Sequence, residues 1–417
     1  MSPGAPVSWE GTRRAAVVGG GPAGLMAAEV LATAGVAVTV HERMPSVGRK
    51  LQLAGRGGLN LTHAEALDAL LDRYGSARPR LEPAIEAFGQ DDLRAWCEGL
   101  GQETFVGTSG RVFPVALRAT GLLRAWLRRV DELGVEVRVR RTWLGWDDGG
   151  RLLFRDGEGR DQTATADVTV LALGGASWPR VGSDGVWADL LRAEGIAVAP
   201  LRPANCGFSV AWTDVFRERF AGTPLKNVAL TAGATTIRGE AMITRDGIEG
   251  GAVYALSARL RDDIEVGGST LLMVDLHPDL ELAQLASRFG RGGLSDSRST
   301  LLRRAGLPPV ASGLLREVTA NRLPGDPLTL AALAKAVPLR LDGVQPLARA
   351  ISTAGGIAFD EVDTTFMLRG RPGTFVAGEM LDWEAPTGGY LLQATFSTAV
   401  AAARGALAWL TARGDRP

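Results

Sequence analysis

The sequence predicts an α/β fold, and three observations predict it. Arg14 to Arg43 reads as strand, glycine-rich turn, helix, strand. Thr374 to about Thr411 reads as strand, glycine-bearing turn, long helix. Between them the pattern turns β-rich near 201 and helical near 276, then reverts near 345. The chain thus divides into 1–200, 201–275, 276–344 and 345–417. A length of 417 residues suits two or three domains.

The first unit opens with Ala15-Ala16-Val17-Val18, a continuous apolar run that fits a strand buried on both faces. Gly19-x-Gly21-x-x-Gly24 follows, then a helix from Pro22 to about Ala34 and a second strand, Val36 to Val40. Glycine spacing alone carries little, because 54 glycines should supply roughly one such motif by chance. The context carries the signal. In this unit the glycines give a tight turn, room for backbone to reach a pyrophosphate, and close helix–strand packing. Pro22 and Ala23 open a helix whose free N–H groups face the phosphates. Glu42, just past the second strand, is placed to accept from the adenosine ribose hydroxyls, which favours a plain ribose over a 2′-phosphate.

Composition excludes several classes. Forty-six basic and forty-six acidic residues sum to zero, so no global field gathers nucleic acid or an anionic membrane; local patches stay open. Cys97 and Cys206 make no disulfide framework, and no zinc spacing occurs. His41, His63 and His277 are too scattered for a metal site. No apolar run approaches a membrane span, and the N-terminus lacks a leader pattern; cytoplasm is the default expectation. Lysine occurs only at 50, 226 and 335, the other basic residues being arginine.

Residues 44–63 are glycine-rich and can lay backbone N–H groups against a ligand. Lys50 there is a compact cation in an arginine-using chain, though a solvated surface lysine is the plain alternative. Asn60 and His63 are further candidates to face a ligand. Residues 64–133 read mainly as helices, their apolar residues recurring at 3.6-residue spacing. Strands are expected at Val135 to Val139, Arg151 to Phe154 and Asp167 to Leu173. The last runs into Gly174-Gly175, where backbone can pass close to a bound cofactor. Near the C-terminus, the strand Thr374 to Ala377 ends in Gly378-Glu379-Met380-Leu381-Asp382. An acid there can bind a polyol hydroxyl. Gly388-Gly389-Tyr390 then opens a helix whose N-terminus can stabilise negative charge on a ring, as on a reduced flavin. No second nucleotide loop appears, so a single dinucleotide is expected, FAD and not NAD.

With GGGPAGLMAAEVLA, GRKLQLAGRGGLNLTH, ALGGASWPRVGSDG, GEAMITRDGIEGG and STAGGIAFDEVDTTFML…TFVAGEMLDWEAPTGGYLLQA on the page, the chain resembles the aminoacetone-oxidase-like flavoproteins, which include bile-acid-operon members. The likeness runs over nearly the whole length. It implies an NAD(P)/FAD-dependent oxidoreductase: a glutathione-reductase-type FAD-binding domain, Rossmann-like, interrupted by a β-barrel-like substrate domain and a small helical domain. By that resemblance Gly19, Gly21, Gly24 and Glu42 hold the ADP half of FAD, and Arg43, Lys50 and Gly174 lie along it. Gly378, Glu379, Asp382, Gly388, Gly389 and Tyr390 hold its ribityl and ring end. Leu59 stands where many members have cysteine, Leu391 where they have asparagine, and Ile248 to Gly251 replaces a Ser-Gly-Pro run.

The expected chemistry is redox catalysis on a flavin, where the cofactor reacts and the protein orients. Lys50, Asn60, Trp383 and Tyr390 are the candidates for the reactive face, with core packing the plain alternative for a single tryptophan. The substrate is expected to be a small molecule, undergoing amine-type oxidation or C=C reduction driven by transiently docked NAD(P)H. A second class of reading is an RNA base modifier holding its substrate with the arginine-bearing helical stretch, and a third is a flavin-binding protein without turnover. Oligomeric state is not readable.

Overall fold

The computed structural model describes residues 13–291 and 297–414. The chain forms two compact units, one comprising the chain up to Arg202 and from Ser352 onward, the other Pro203–Ile351.

The first unit is built on a parallel sheet. Its strands are β1 (Arg14–Val18), β2 (Ala37–Glu42), β3 (Glu136–Val139), β4 (Val168–Leu171) and β5 (Thr374–Val376), in the spatial order β5-β4-β1-β2-β3. Val17 of β1 lies opposite Val40 on one side and Val170 on the other, and Val170 opposite Phe375. All four are buried, as a sheet covered on both faces requires. The chain leaves β1 toward β2 while β4 lies on the other side, so a crevice opens at the carboxyl ends of β1 and β4. Ligands of open α/β sheets bind at such a switch point.

Helix α1 (Pro22–Thr33) crosses from β1 to β2, and α2 (Arg49–Ala54) and α3 (Ala119–Glu132) follow. The C-terminal helix α4 (Tyr390–Gly414) packs directly on α1. Small residues permit this: Ala23, Ala27 and Ala28 on one helix, Ala394, Ala399, Ala402 and Ala406 on the other, all buried. Glu29 of α1 is buried and satisfied. It accepts from the indole N–H of Trp126 at 2.7 Å and of Trp96 at 3.1 Å, and pairs with Arg129.

Three expectations change here. Strand β2 runs two residues past Val40, so Glu42 belongs to its end. The strand expected at Arg151 to Phe154 is Leu152–Arg155 and joins a separate antiparallel sheet with Thr142–Trp146 and Asp161–Ala164. The stretch read mainly as helices also contains Thr104–Val106 and Arg111–Pro114; the second of these pairs with the first on one side and with Thr62–His63 on the other. Those strands are too short for alternation to outweigh the helical segments around them.

In the second unit, a seven-stranded sheet has the order Val337–Leu341, Thr270–Asp275, Pro224–Ala232, Thr235–Thr244, Gly247–Glu249, Phe208–Ser209, Gly343–Val344. Its two edge strands are separated in the chain by Asp342 alone. The sheet must therefore curl until its edges meet, which makes it barrel-like. Helices Leu282–Gly290, Arg298–Arg304, Pro309–Val318 and Pro327–Lys335 share one apolar core with it, where Leu285, Leu314 and Leu330 join Leu230, Leu272 and Leu339. The separate helical domain expected at 276–344 is thus part of the β-rich unit. The reason is topological: the strands after the helices complete the sheet begun before them.

Among the described residues, no helix is long and apolar enough to cross a membrane.

Candidate functional site

The site is assembled within the first unit, at the carboxyl ends of β1, β2 and β4. Gly19 has φ of +107°, and a Cβ there would stand 2.2 Å from the Ala172 carbonyl. A Cβ on Gly24 would stand 1.8 Å from the Gly19 carbonyl, so α1 and β1 touch backbone to backbone. Gly21, the N-cap of α1, is different: nothing lies within 4 Å of its Cβ position. Two glycines are held by packing and the third faces open space, where a 12-residue helix with Pro22 at its start directs its free N–H groups.

Gly378, 357 positions after Gly21, reaches this same turn. Its Cβ position lies 2.9 Å from the Cβ of Ala23, and its φ of +77° is left-handed. Its N–H donates to Thr398 Oγ1 of α4 at 3.0 Å. Beyond it, Gly388 and Gly389 have φ of +141° and +97°, and a Cβ on Gly389 would meet the Thr62 backbone at 2.5 Å. Gly378 and Gly389 are thereby seated on the first turn of α1 and on the strand Thr62–His63.

The charged residues are tied among themselves. Glu42 accepts from the N–H of Gly20 at 2.8 Å and of Met44 at 2.7 Å. Burial raises its pKa, and those two bonds oppose the rise. Arg43 pairs with Asp184 of the loop after β4. Lys50 donates to Glu379 at 2.7 Å and to Ser177 Oγ at 2.9 Å. Glu379 also accepts from the N–H of Thr353 at 2.9 Å and of Gly175 at 3.2 Å. Gly175 must be glycine, since its Cβ would lie 2.3 Å from Thr353 Oγ1. Gly174, with φ of +73°, accepts from the Trp187 indole N–H at 2.8 Å. Asp382 is half-buried; desolvation raises its pKa, opposed by the charge of Arg202.

Two of the four candidates for the reactive face sit differently from expectation. Trp383 is 3% exposed, donates its indole N–H to the Gly378 carbonyl at 3.0 Å and meets Tyr74 edge-on. It is a core buttress beneath Gly378, because burying an indole requires a partner for its N–H. Tyr390 is also buried. Its ring stacks on His63 with centroids 5.5 Å apart, and Arg73 lies over it. Burial, then Glu65, pushes its pKa up. Its carbonyl accepts from Tyr74 at 2.8 Å. Asn60 remains available: its Oδ1 is buried without a partner, as are Thr62 Oγ1 and Ser183 Oγ.

Those unpartnered atoms test whether a dinucleotide fits. A buried polar atom without a hydrogen bond is costly. Thr62 abuts Gly389, and Ser183 Oγ lies 3.5 Å from the Cβ position of Gly174. An extended molecule with many hydroxyl and carbonyl groups would satisfy them while its phosphates face Gly21. The residues fit FAD. Reading the sequence missed Ser177, Ser183, Thr353 and Thr62. The run ASWPRVGSDG, with its polar residues after a buried strand, held the signal for Ser177 and Ser183. Among the described residues, no group of three or more His, Cys, Asp or Glu could hold a metal.

The family model for the HI0933-like protein Rossmann domain matches residues 13–405. The 3-dehydro-bile acid delta(4,6)-reductase of Clostridium scindens is 27% identical over 94% of this chain and 98% of its own. The ribosomal RNA dihydrouridine synthase of Haemophilus influenzae is 23% identical over 93% and 96%. Among solved structures, the 3-ketosteroid delta1-dehydrogenase of Sterolibacterium denitrificans covers 95% of this chain and 100% of its own. It is 14% identical with a TM-score of 0.52, a likeness of fold.

Proposed function

The chain belongs to the HI0933-like Rossmann-domain family and is an FAD-dependent oxidoreductase, and from that premise we propose that it reduces a C=C bond in a ring, with NAD(P)H as a transient electron donor. Both relatives' names denote hydrogen added across a double bond, which favours reduction over amine-type oxidation. The observation that carries the redox reading is the approach of Gly378 to Ala23: the turn that leads on to Gly388 and Gly389 packs on the first turn of α1, whose N-cap, Gly21, has nothing within 4 Å of its Cβ position.

FAD would be held by the Gly19–Gly24 turn at its pyrophosphate, by Glu42 at its adenosine ribose, by Lys50, Arg43 and Gly174 along its length, and by Gly378, Glu379, Asp382, Gly388, Gly389 and Tyr390 toward its ring. When bound, it supplies hydride transfer at N5. The protein's part is orientation and electrostatics. Lys50, fixed by Ser177 and Glu379, keeps one cation beside the 174–177 backbone. Asn60 offers a buried acceptor to a ring N–H. Tyr390 closes the helix end beside His63.

Anaerobic stopped-flow mixing tests this. NADPH should bleach the bound flavin, and a cyclic enone should restore its colour. Flavin that NADPH leaves oxidised, but an amine reduces, would replace this reading with amine oxidation.

A further inference from the structure

The loop after β4 runs from Gly175 and Ser177, beside Lys50 and Glu379, to Gly182, whose Cβ position lies 3.8 Å from Glu42 Oε1. Two of its side chains take no part in the contacts described so far. Trp178 is 38% exposed, and Arg180, two positions on, is exposed as well. Among the described residues the indole has no hydrogen bond or ring contact, and no carboxylate lies within 4.0 Å of the guanidinium.

An exposed tryptophan is ordinary by itself; the backbone of this one is not. Trp178 has φ of +62° and ψ of +60°, a left-handed conformation in which a bulky residue is an outlier. Pro179 follows, and a proline pushes the residue before it toward extended backbone. The conformation is imposed from both sides. Upstream, the Ala176 N–H donates to Thr353 Oγ1 at 2.8 Å, and buried Ser177 accepts from Lys50 at 2.9 Å. Downstream, the Trp178 carbonyl accepts from the Val181 N–H at 3.0 Å and the Pro179 carbonyl from the Gly182 N–H at 3.1 Å. Gly182 has φ of +109°, and its Cβ would lie 2.9 Å from Met44 Cγ, so the turn sits against the segment after β2. The ring is thus held in solvent at a cost in backbone energy, between two stretches of the cofactor site. Strain of this kind collects where a ligand is bound.

An indole face without a ring partner stacks on any planar heterocycle. A guanidinium without a carboxylate takes phosphate oxygens. Two residues apart on one turn, they match the planar base and the phosphate of a nucleotide. The sequence holds one glycine-rich nucleotide turn, and FAD takes it. A second nucleotide therefore needs an anchor of another kind.

We propose that Trp178 and Arg180 are the docking point of the nicotinamide nucleotide, the indole stacking on one of its planar rings and the guanidinium holding one of its phosphates. The proposal rests on the reading of NAD(P)H as electron donor put forward above.

Isothermal titration of the flavin-loaded protein with NADP+ tests it. W178A should bind NADP+ at least about fivefold more weakly than the parent, and R180S at least about tenfold. W178F, which keeps an aromatic face, should bind close to the parent, as should R155S, which removes an arginine paired with Asp161. Visible flavin spectra and melting temperatures of all four should match the parent. A parent that does not bind NADP+, or W178A and R180S proteins that bind it as the parent does, overturns the proposal. So does a fall in FAD affinity without a fall for NADP+, which would give the two residues to the flavin nucleotide. Slower reoxidation of W178A by a cyclic enone, with NADP+ binding intact, would give the ring to the substrate and overturn it too. Binding is read with the oxidised nucleotide, so a nucleotide that docks here but leaves the flavin unbleached as NADPH sinks the redox reading and leaves this site standing.

Discussion

The ammonium group of Lys50 lies 2.7 Å from a carboxylate oxygen of Glu379, 329 positions further along the chain. The pair joins α2 to the turn after β5, and both side chains are largely shielded, at 27% and 14% exposure. Glu379 keeps two backbone donors if the ammonium is removed; Lys50 keeps only Ser177 if the carboxylate is removed. Lys50→Met should therefore cost roughly 1–2 kcal/mol in urea unfolding and weaken FAD binding. Glu379→Ala should cost more, because two buried N–H groups also lose their acceptor. Equal stability in both variants would mean the pair holds nothing together.

Gly389 and Gly101 both have left-handed φ, at +97° and +71°, but only Gly389 is crowded. Gly101→Ala should cost about 1 kcal/mol, the conformational penalty alone. Gly389→Ala adds a 2.5 Å clash with the Thr62 backbone and should cost on the order of 3 kcal/mol or fail to fold. Denaturant midpoints of the two variants check the difference; matching midpoints would show that the turn moves freely away from Thr62.

Burial raises the pKa of Glu42 above that of an unfolded glutamate. The folded state then binds this proton more tightly, so the group's contribution is full below the unfolded pKa and is lost as pH rises through the folded value. In FAD-free protein, the stability difference between parent and Glu42→Gln should therefore shrink from acidic to neutral pH. Unfolding free energies at several pH values test the sign, and a growing difference would place the carboxylate in a charge-stabilising environment.

Trp383 separates a structural role from a catalytic one. Trp383→Phe leaves the buried Gly378 carbonyl without its donor and should cost about 1–2 kcal/mol. Substrate KM should stay unchanged, since the ring faces Tyr74 and the core. A raised KM with unaltered stability would return the residue to the reactive face.

The first nucleotide unit was legible because each of its signals is local: a buried apolar run, three glycines, a helix start and an acid at a set distance. The site was less so. Lys50 was marked by its rarity and Glu379 by its strand end, but their pairing depends on 329 residues of intervening chain. Gly175 was marked as half of a glycine pair, but Thr353 carried no local sign, its place being set by a contact that only the turn after β4 and the 353 region create together. Trp383 stood between the reactive face and the core because sequence shows an aromatic beside a glycine turn without showing which way it points. The helical stretch looked separate because its closing strands, Val337–Leu341 and Gly343–Val344, come after it.

Gly21 offers the sharpest test of the cofactor assignment. Its φ is −82°, an ordinary value, and nothing lies within 4 Å of its Cβ position. Gly21→Ala should leave the FAD-free protein as stable as the parent, or slightly more so, because alanine restricts the unfolded chain. The added methyl group would nonetheless stand in the open space where a pyrophosphate approaches the helix N-terminus. FAD affinity should fall at least about tenfold, which corresponds to 1.4 kcal/mol, as read by quenching of flavin fluorescence on titration. Gly24→Ala should behave in the opposite order, unfolding the protein before binding can be measured, since its Cβ would stand 1.8 Å from the Gly19 carbonyl. A Gly21→Ala protein that binds FAD like the parent would remove the phosphates from this turn, and with them the reason for assigning the site to a dinucleotide.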